Sequence, residues 1–399
     1  MTTQRVLVLN GSHAEIPLIL ATKEFGYEVL STGTDPSGLG HPYADRYLPA
    51  DYSNPTTVTE LARAEEVVGI IASCNDFAAI SAAVAAEELG LPGHDSPEVA
   101  RRLHHKDQFR ALTSELGLAG IRAFICRTVE DAIDAFQTLG APVILKPVDL
   151  TGGKGISVCR TENQVRSAIR DIRRRSRETH FVVEEFVSGS NHGFTCFIVD
   201  QQVVWWFSDD EQYYLNPYLV NGTSTPSSLP QVAQLELRDA VNSIAHHLNL
   251  VDGLVHIQCV LGERGPRIIE VCRRCPGDLY PEFVRHATSW SYASAIVASE
   301  LGLGRVDFPQ TSQLRPIVRH CAMPDREGFY VSTEISSELD ENVLSRWPLL
   351  TPGKRIFDHL AQKSEIAVFA FPSVDQMFQY LEHRDTAVKV LVDEAKESF

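Results

Sequence analysis

Four short stretches in the middle of this 399-residue chain carry the side chains that phosphate and metal chemistry needs. Lys146 ends the apolar run 143–146 and is followed by Pro147. An ammonium at a strand end, just before a glycine loop, is where a nucleotide phosphate could accept it, although such lysines are usually solvated tips. That loop is Thr151, Gly152, Gly153, Lys154 and Gly155. Glycines let backbone N–H groups approach phosphate oxygens closely. No helix with Ser or Thr follows Lys154, so this is not the GxxxxGK[ST] loop, and alone it reads as a hairpin turn. The third stretch is Glu184, Glu185, Phe186, Val187, Ser188 and Gly189. A strand leaving its sheet there frees an N–H and a C=O for an adenine edge, with Phe186 and Val187 against the ring. The bland alternative is a strand end with solvated acids. The fourth pairs His256 and Gln258 with Glu270, Cys272, Arg273 and Arg274. Alternation puts His256 and Gln258 on one face of a strand, and Glu270 and Cys272 on one face of the next. A Gln and a Glu converging on one site suit Mg2+, and Arg274 beside them could stabilise charge on a transferring phosphoryl group.

The elements that must hold these residues follow from hydrophobic period and punctuation. Residues 5–9, 27–31 and 67–72 read as strands separated by helices at 16–25 and 77–89. Strands alternating with helices imply a parallel, doubly wound α/β unit. Ser96-Pro97-Glu98 opens a new helix, and a second runs from about 106 to 116. Strands are expected at 122–126, 143–146, 156–159 and 181–185, with helices at 129–139 and 162–177. A hairpin at 195–200 and 203–207 comes next. Residues 208–230 are polar and aperiodic, and read as a long loop, a candidate lid. A helix at 232–248 leads into strands 254–261 and 267–272. The clearest piece of the tail is strand 366–371, helix 374–384 and strand 388–392. The expected organisation is a leading domain at 1–95, a core at 96–305 with a small lid subdomain at about 120–187, and an α+β region at 306–399.

The order of lysine, glycine loop, hinge and metal strand pair resembles the ATP-grasp superfamily, and the resemblance covers most of the chain. It implies an ATP-grasp fold, mixed α/β and α+β, with ATP and Mg2+ or Mn2+ as cofactors. Lys106 and Lys146 match the two phosphate-binding lysines. Gly152, Gly153, Lys154 and Gly155 match the loop that closes over the phosphates. Glu184, Glu185, Phe186 and Val187 match the adenine hinge. Gln258 and Glu270 match metal positions, and Arg274 matches the arginine that contacts phosphate and the acyl intermediate. Three positions depart from the family. Asn191 or His192 must replace a ribose-binding Glu, Gln258 stands for the first metal carboxylate, and Cys272 for the usual Asn. A thiol is a poor Mg2+ ligand.

The same resemblance implies a carboxylate–amine ligase. ATP converts a carboxylate to an acyl phosphate, and an amine such as an amino acid displaces phosphate. The segment from Arg273 to Tyr280 looks like the loop that holds the activated carboxylate, so His256, Arg273, Gly277 and Asp278 are expected at the substrate. Tyr213, Tyr214 and Tyr218 either line that pocket or anchor the polar stretch. Alternatives are a biotin-carboxylase-like enzyme that activates bicarbonate, or a non-catalytic ATP binder. A nicotinamide-binding reductase is disfavoured because GxGxxG is absent.

Composition bounds the rest. Lys plus Arg is 36 and Asp plus Glu 52, a net charge of −16, which argues against a nucleic-acid partner. A 44% apolar and 22% charged chain can bury large cores. The longest uncharged run, 212–235, is rich in Asn, Pro, Ser and Thr and is no bilayer span. The apolar run 6–9 is too short for a signal peptide, so a cytoplasmic protein with reduced thiols is expected. Cys272 and Cys275 form a lone CxxC and read as incidental, and the arginines of 166–177 as a solvated face. Small-molecule substrates are the expected partners, with a homodimer common in the family.

Overall fold

The computed structural model describes residues 3–150, 153–304, 306–309 and 314–394. Two compact units emerge. One comprises residues 1–94, 207–228 and 274–399, and the other 95–206 and 229–273. These units cut across the three expected segments, because 207–228 and 274–304 cluster with the leading residues.

In the first unit, four parallel strands are ordered Arg46–Pro49, Glu28–Gly33, Arg5–Val8 and Gly69–Ile71. Val6, Leu7 and Val8 are all fully buried, as expected for a strand covered on both faces. Leu7, Leu9, Leu30 and Ile70 pack with Ala78 and Ala82 of the helix Asp76–Leu89. Asn75 caps that helix by accepting from the Phe77 N–H, and Gly90 ends it in a left-handed turn. The short strand Arg46–Pro49 and the helix Pro55–Ala64 add to the expected elements; Asn54 caps that helix by accepting from the Thr56 and Thr57 N–H groups, and Pro55 opens it.

The same unit holds an antiparallel run. The strand Gln202–Gln212 begins in the second unit, and its end pairs with Gly222–Thr225. Ile317–Ala322, Glu365–Ala370 and Val343–Pro348 follow in that order. The lid loop expected at 208–230 is therefore corrected. Asn221, Thr223, Ser224 and Thr225 are buried, and two strands cross the stretch. Small polar side chains satisfied inside a sheet look, in sequence, like a loop. The tail elements expected at 366–371, 374–384 and 388–392 are present as Glu365–Ala370, Val374–Ala387 and Val388–Asp393. Their two strands lie in different sheets.

The second unit has two cores. A four-stranded antiparallel sheet is ordered Ala123–Cys126, Phe181–Glu185, Val143–Pro147 and Ser157–Cys159. The helices Val129–Leu139 and Glu162–Arg175 cover it, and capping boxes at Thr128 and Thr161 start both. The other core packs the helix Gln231–Leu248 on the strands Ser190–Val199, Gly253–Gly262 and Gly265–Cys272. Leu103, Phe109 and Leu112, from the helices Pro97–His104 and Lys106–Glu115, complete it. All eight cysteines are free thiols, and no helix among the described residues is long and apolar enough to cross a membrane.

Candidate active site

Lys146, at the end of the strand Val143–Pro147, is buried, with its Nζ 2.7 Å from Oε2 of Glu184 on the neighbouring strand. The other oxygen of Glu184 accepts from Arg110 Nε at 2.7 Å. Burial alone would raise the Glu184 pKa, but Arg110 and Lys146 outweigh it and pull the carboxyl down to about 2. Burial lowers the Lys146 pKa; Glu184 opposes that, while Arg110 and Lys106 add to it. Two flanking cations and one anion leave net positive charge here, which suits a phosphate. Lys106 opens its helix, and its Nζ donates to the Leu150 carbonyl at 3.1 Å. The sequence reading put Glu184 against adenine; its side chain is instead the counter-ion of Lys146 and Arg110.

Gly153 and Gly155 have φ of +76° and +72°, which only glycine adopts without strain, and Lys154 beside them is exposed. Thr151 and Gly152 lie outside the described residues. At the hinge, Glu185 is held by the Arg122 backbone N–H at 3.1 Å and its Nε at 2.8 Å. The Glu185 carboxylate is thus engaged within the fold, and Phe186 beside it is exposed. A Cβ on Gly189 would stand 2.1 Å from the Leu261 carbonyl oxygen, so the departing chain runs tight against the strand Gly253–Gly262. His192 is fully buried and bonded to Ser190 Oγ at 2.6 Å, which corrects its expected contact with ribose. Asn191, half-buried one residue earlier, is the better placed of the two.

Gln258 lies directly opposite Glu270, and His256 opposite Cys272. Directly paired residues of antiparallel strands project to the same face, so all four share one. Gln258 also faces Gly193 on its other neighbour, leaving no side chain there to cover it. Gln258 and Glu270 are half-buried, while His256 and Cys272 are buried. An amide oxygen and a carboxylate are hard donors that fit Mg2+ or Mn2+; the Cys272 thiol does not.

The loop that follows the strand Gly265–Cys272 belongs, from Arg274 on, to the first unit. Arg274 Nε donates to Asp76 Oδ1 at 2.8 Å, at the start of the helix Asp76–Leu89. Asp278 and Leu279 both have left-handed backbones, φ +54° and +57°. Arg319 holds this strained turn, donating to the carbonyls of Gly277 at 3.0 Å and Asp278 at 2.8 Å. Asp278 is also paired with Lys363, and His13 Nε2 lies 3.6 Å from it. Burial would raise the Asp278 pKa, but Lys363, His13 and Arg319 together hold it far below the usual carboxylate range. Nearby, the buried Asp209 accepts from Tyr280 Oη at 2.5 Å, and burial followed by the Glu211 charge pushes its pKa up to about 8. Tyr214 donates to the Cys321 carbonyl at 2.6 Å, which makes it an anchor.

Arg273 is a further correction. Its side chain is buried, bonded to Asp95 at 2.7 Å and to the carbonyls of Val251 and Leu254, so its donors are used inside the fold. Arg110, Asp76, Arg319 and Lys363 escaped the sequence reading. Only Arg110 had a signal, standing four residues after Lys106 on one helix face.

Residues 139–281 match the family model described as an ATP-grasp domain. The carbamoyl phosphate synthase large chain of Pseudomonas aeruginosa is 25% identical over 262 residues, covering 63% of this chain and 24% of that one. The chain thus spans about a quarter of the length of the curated relatives it matches. The L-amino acid ligase from Bacillus licheniformis superposes with a TM-score of 0.80 at 16% identity, covering 98% of this chain and 99% of that one. Phosphoribosylglycinamide synthetase from Anaerococcus prevotii gives 0.78 at 18%, covering 98% and 100%. The mixed α/β fold is the one these proteins share.

Proposed function

We propose that the chain is an ATP-dependent carboxylate–amine ligase, which activates a carboxylate as an acyl phosphate and joins it to an amino acid or similar amine. The observation that carries this reading is the face shared by Gln258 and Glu270, in a unit where buried Lys146 is flanked by Arg110 and Lys106. A metal-binding pair and a cationic phosphate cradle are what phosphoryl transfer needs. Bound MgATP supplies the phosphoryl group, with Gln258 and Glu270 holding the metal. Lys106 and Lys146 meet the phosphate charge, and Gly153 to Gly155 bring backbone N–H groups over it. The hinge at Phe186 and Val187 takes the adenine, with Asn191 toward the ribose. Arg274, oriented by Asp76, meets charge developing on the transferred group. The strained turn at Gly277 and Asp278 is assigned to the carboxylate, and residues 1–95, 96–305 and 306–399 to the leading, core and C-terminal segments. An L-amino acid ligase among the proteins of this fold supports amino-acid-like substrates.

The test is ADP release across paired carboxylates and amines, with mass spectrometry of the products. Release that needs both partners, with a product lighter than their sum by one water, is expected. A second reading, a nucleotide binder without turnover, is favoured by the buried Cys272 thiol at a metal position. ADP binding with no turnover for any pair would establish it instead.

A further inference from the structure

We propose that Arg110 is a positioning residue that couples the nucleotide half of the site to the metal half; the inference rests on the ATP-site reading above. Arg110 is buried in the middle of the helix that Lys106 opens. Its Nε donates to Glu184, the counter-ion of Lys146. Its Nη2 donates to the Ile269 carbonyl at 2.6 Å, and its Nη1 reaches the Ile268 carbonyl at 3.4 Å.

The strand register explains why Ile269 matters. Gln258 pairs with Glu270, but the next residue, Cys259, pairs with Ile268. Ile269 is therefore the extra residue of a bulge, left out of the ladder. A bulge re-aims the side chain next to it, and its unpaired backbone needs another partner. Arg110 is that partner, one residue before Glu270. One planar guanidinium thus ties together the helix of Lys106, the strand pair of Lys146 and Glu184, and the bulge that aims Glu270. A lysine could keep the ion pair with Glu184, but one compact ammonium does not reproduce a fork aimed at two carbonyls as well.

The experiment is calorimetric ADP binding to the full chain over a series of Mg2+ concentrations, for wild type, R110K and R110M, with urea unfolding in parallel. Wild type binds ADP in a Mg2+-dependent manner. R110M weakens ADP binding and raises the Mg2+ midpoint by about tenfold or more, the size seen when an outer-shell partner is lost. R110K restores metal-free ADP affinity to near wild type while its Mg2+ midpoint stays raised. This split is one that general destabilisation does not produce. A folded R110K with the wild-type Mg2+ midpoint overturns the proposal, and it decides alone if R110M does not fold. Wild type that binds no ADP at any Mg2+ concentration overturns the site reading itself, and the coupling with it.

Discussion

Lys146 Nζ and Glu184 Oε2 lie 2.7 Å apart, with neither side chain reaching solvent to any useful extent, and Arg110 completes the triad on the other carboxylate oxygen. Replacing Glu184 by Gln leaves two buried cations without their anion. E184Q should lose about 3–5 kcal/mol of stability at pH 7, the usual cost of breaking a buried pair from one side. Because the Glu184 pKa is depressed to about 2, its contribution is fully present above the unfolded value of 4.5 and lost as pH falls toward 2. Urea unfolding from pH 7 to 2 should therefore show a flatter acid limb for E184Q than for wild type.

Asp209 has the opposite sign. Its pKa is raised from 3.8 to about 8, so the folded state holds a proton that the unfolded chain releases. Its contribution is greatest below pH 4 and is lost as pH rises to 8, by up to about 1.4 kcal/mol per pH unit. D209N should flatten the stability profile across that window, and parallel wild-type and D209N profiles would contradict the assignment.

Gly189 is a steric requirement, since a Cβ there would meet the Leu261 carbonyl oxygen at 2.1 Å. The Cβ position is fixed by the residue's own backbone and the oxygen is itself backbone, so neither can swing away. G189A should cost about 1–3 kcal/mol, the range for overpacking, and should displace the hinge. Thermal unfolding together with ADP affinity checks both effects.

Arg273 and Arg274 should separate cleanly despite being adjacent. R273M strands the buried Asp95 carboxylate and should lose about 3–5 kcal/mol in urea unfolding, while ADP affinity of the folded fraction is unchanged. R274M also takes the cation from a buried carboxylate, Asp76, and should lose stability too, but unlike R273M it should depress turnover of the folded fraction. Equal stability for R273M and wild type would restore Arg273 as a substrate candidate.

The legible parts of this protein were those with local pattern. Alternation in 254–261 and 267–272 is enough to place Gln258 and Glu270 on faces that the structure brings together, and Ser96 and Thr161 announce their helices by capping chemistry. What stayed hidden depends on contacts distant in sequence. Arg110 looks like a surface helix residue until Glu184, 74 positions later, is folded against it. Gly222–Thr225 has loop composition and becomes a strand because Ile317–Ala322 pairs with it. His192 and Arg273 sit in the expected neighbourhoods, but burial and prior hydrogen bonds turn their side chains to structural use.

The central claim is that a carboxylate is activated as an acyl phosphate, and oxygen transfer tests it most directly. A carboxylate that supports ADP release would be labelled with 18O in both oxygens and turned over with ATP and its amine. The account predicts one 18O atom in each released phosphate and one retained in the product. Phosphate carrying only solvent or ATP oxygen would contradict it.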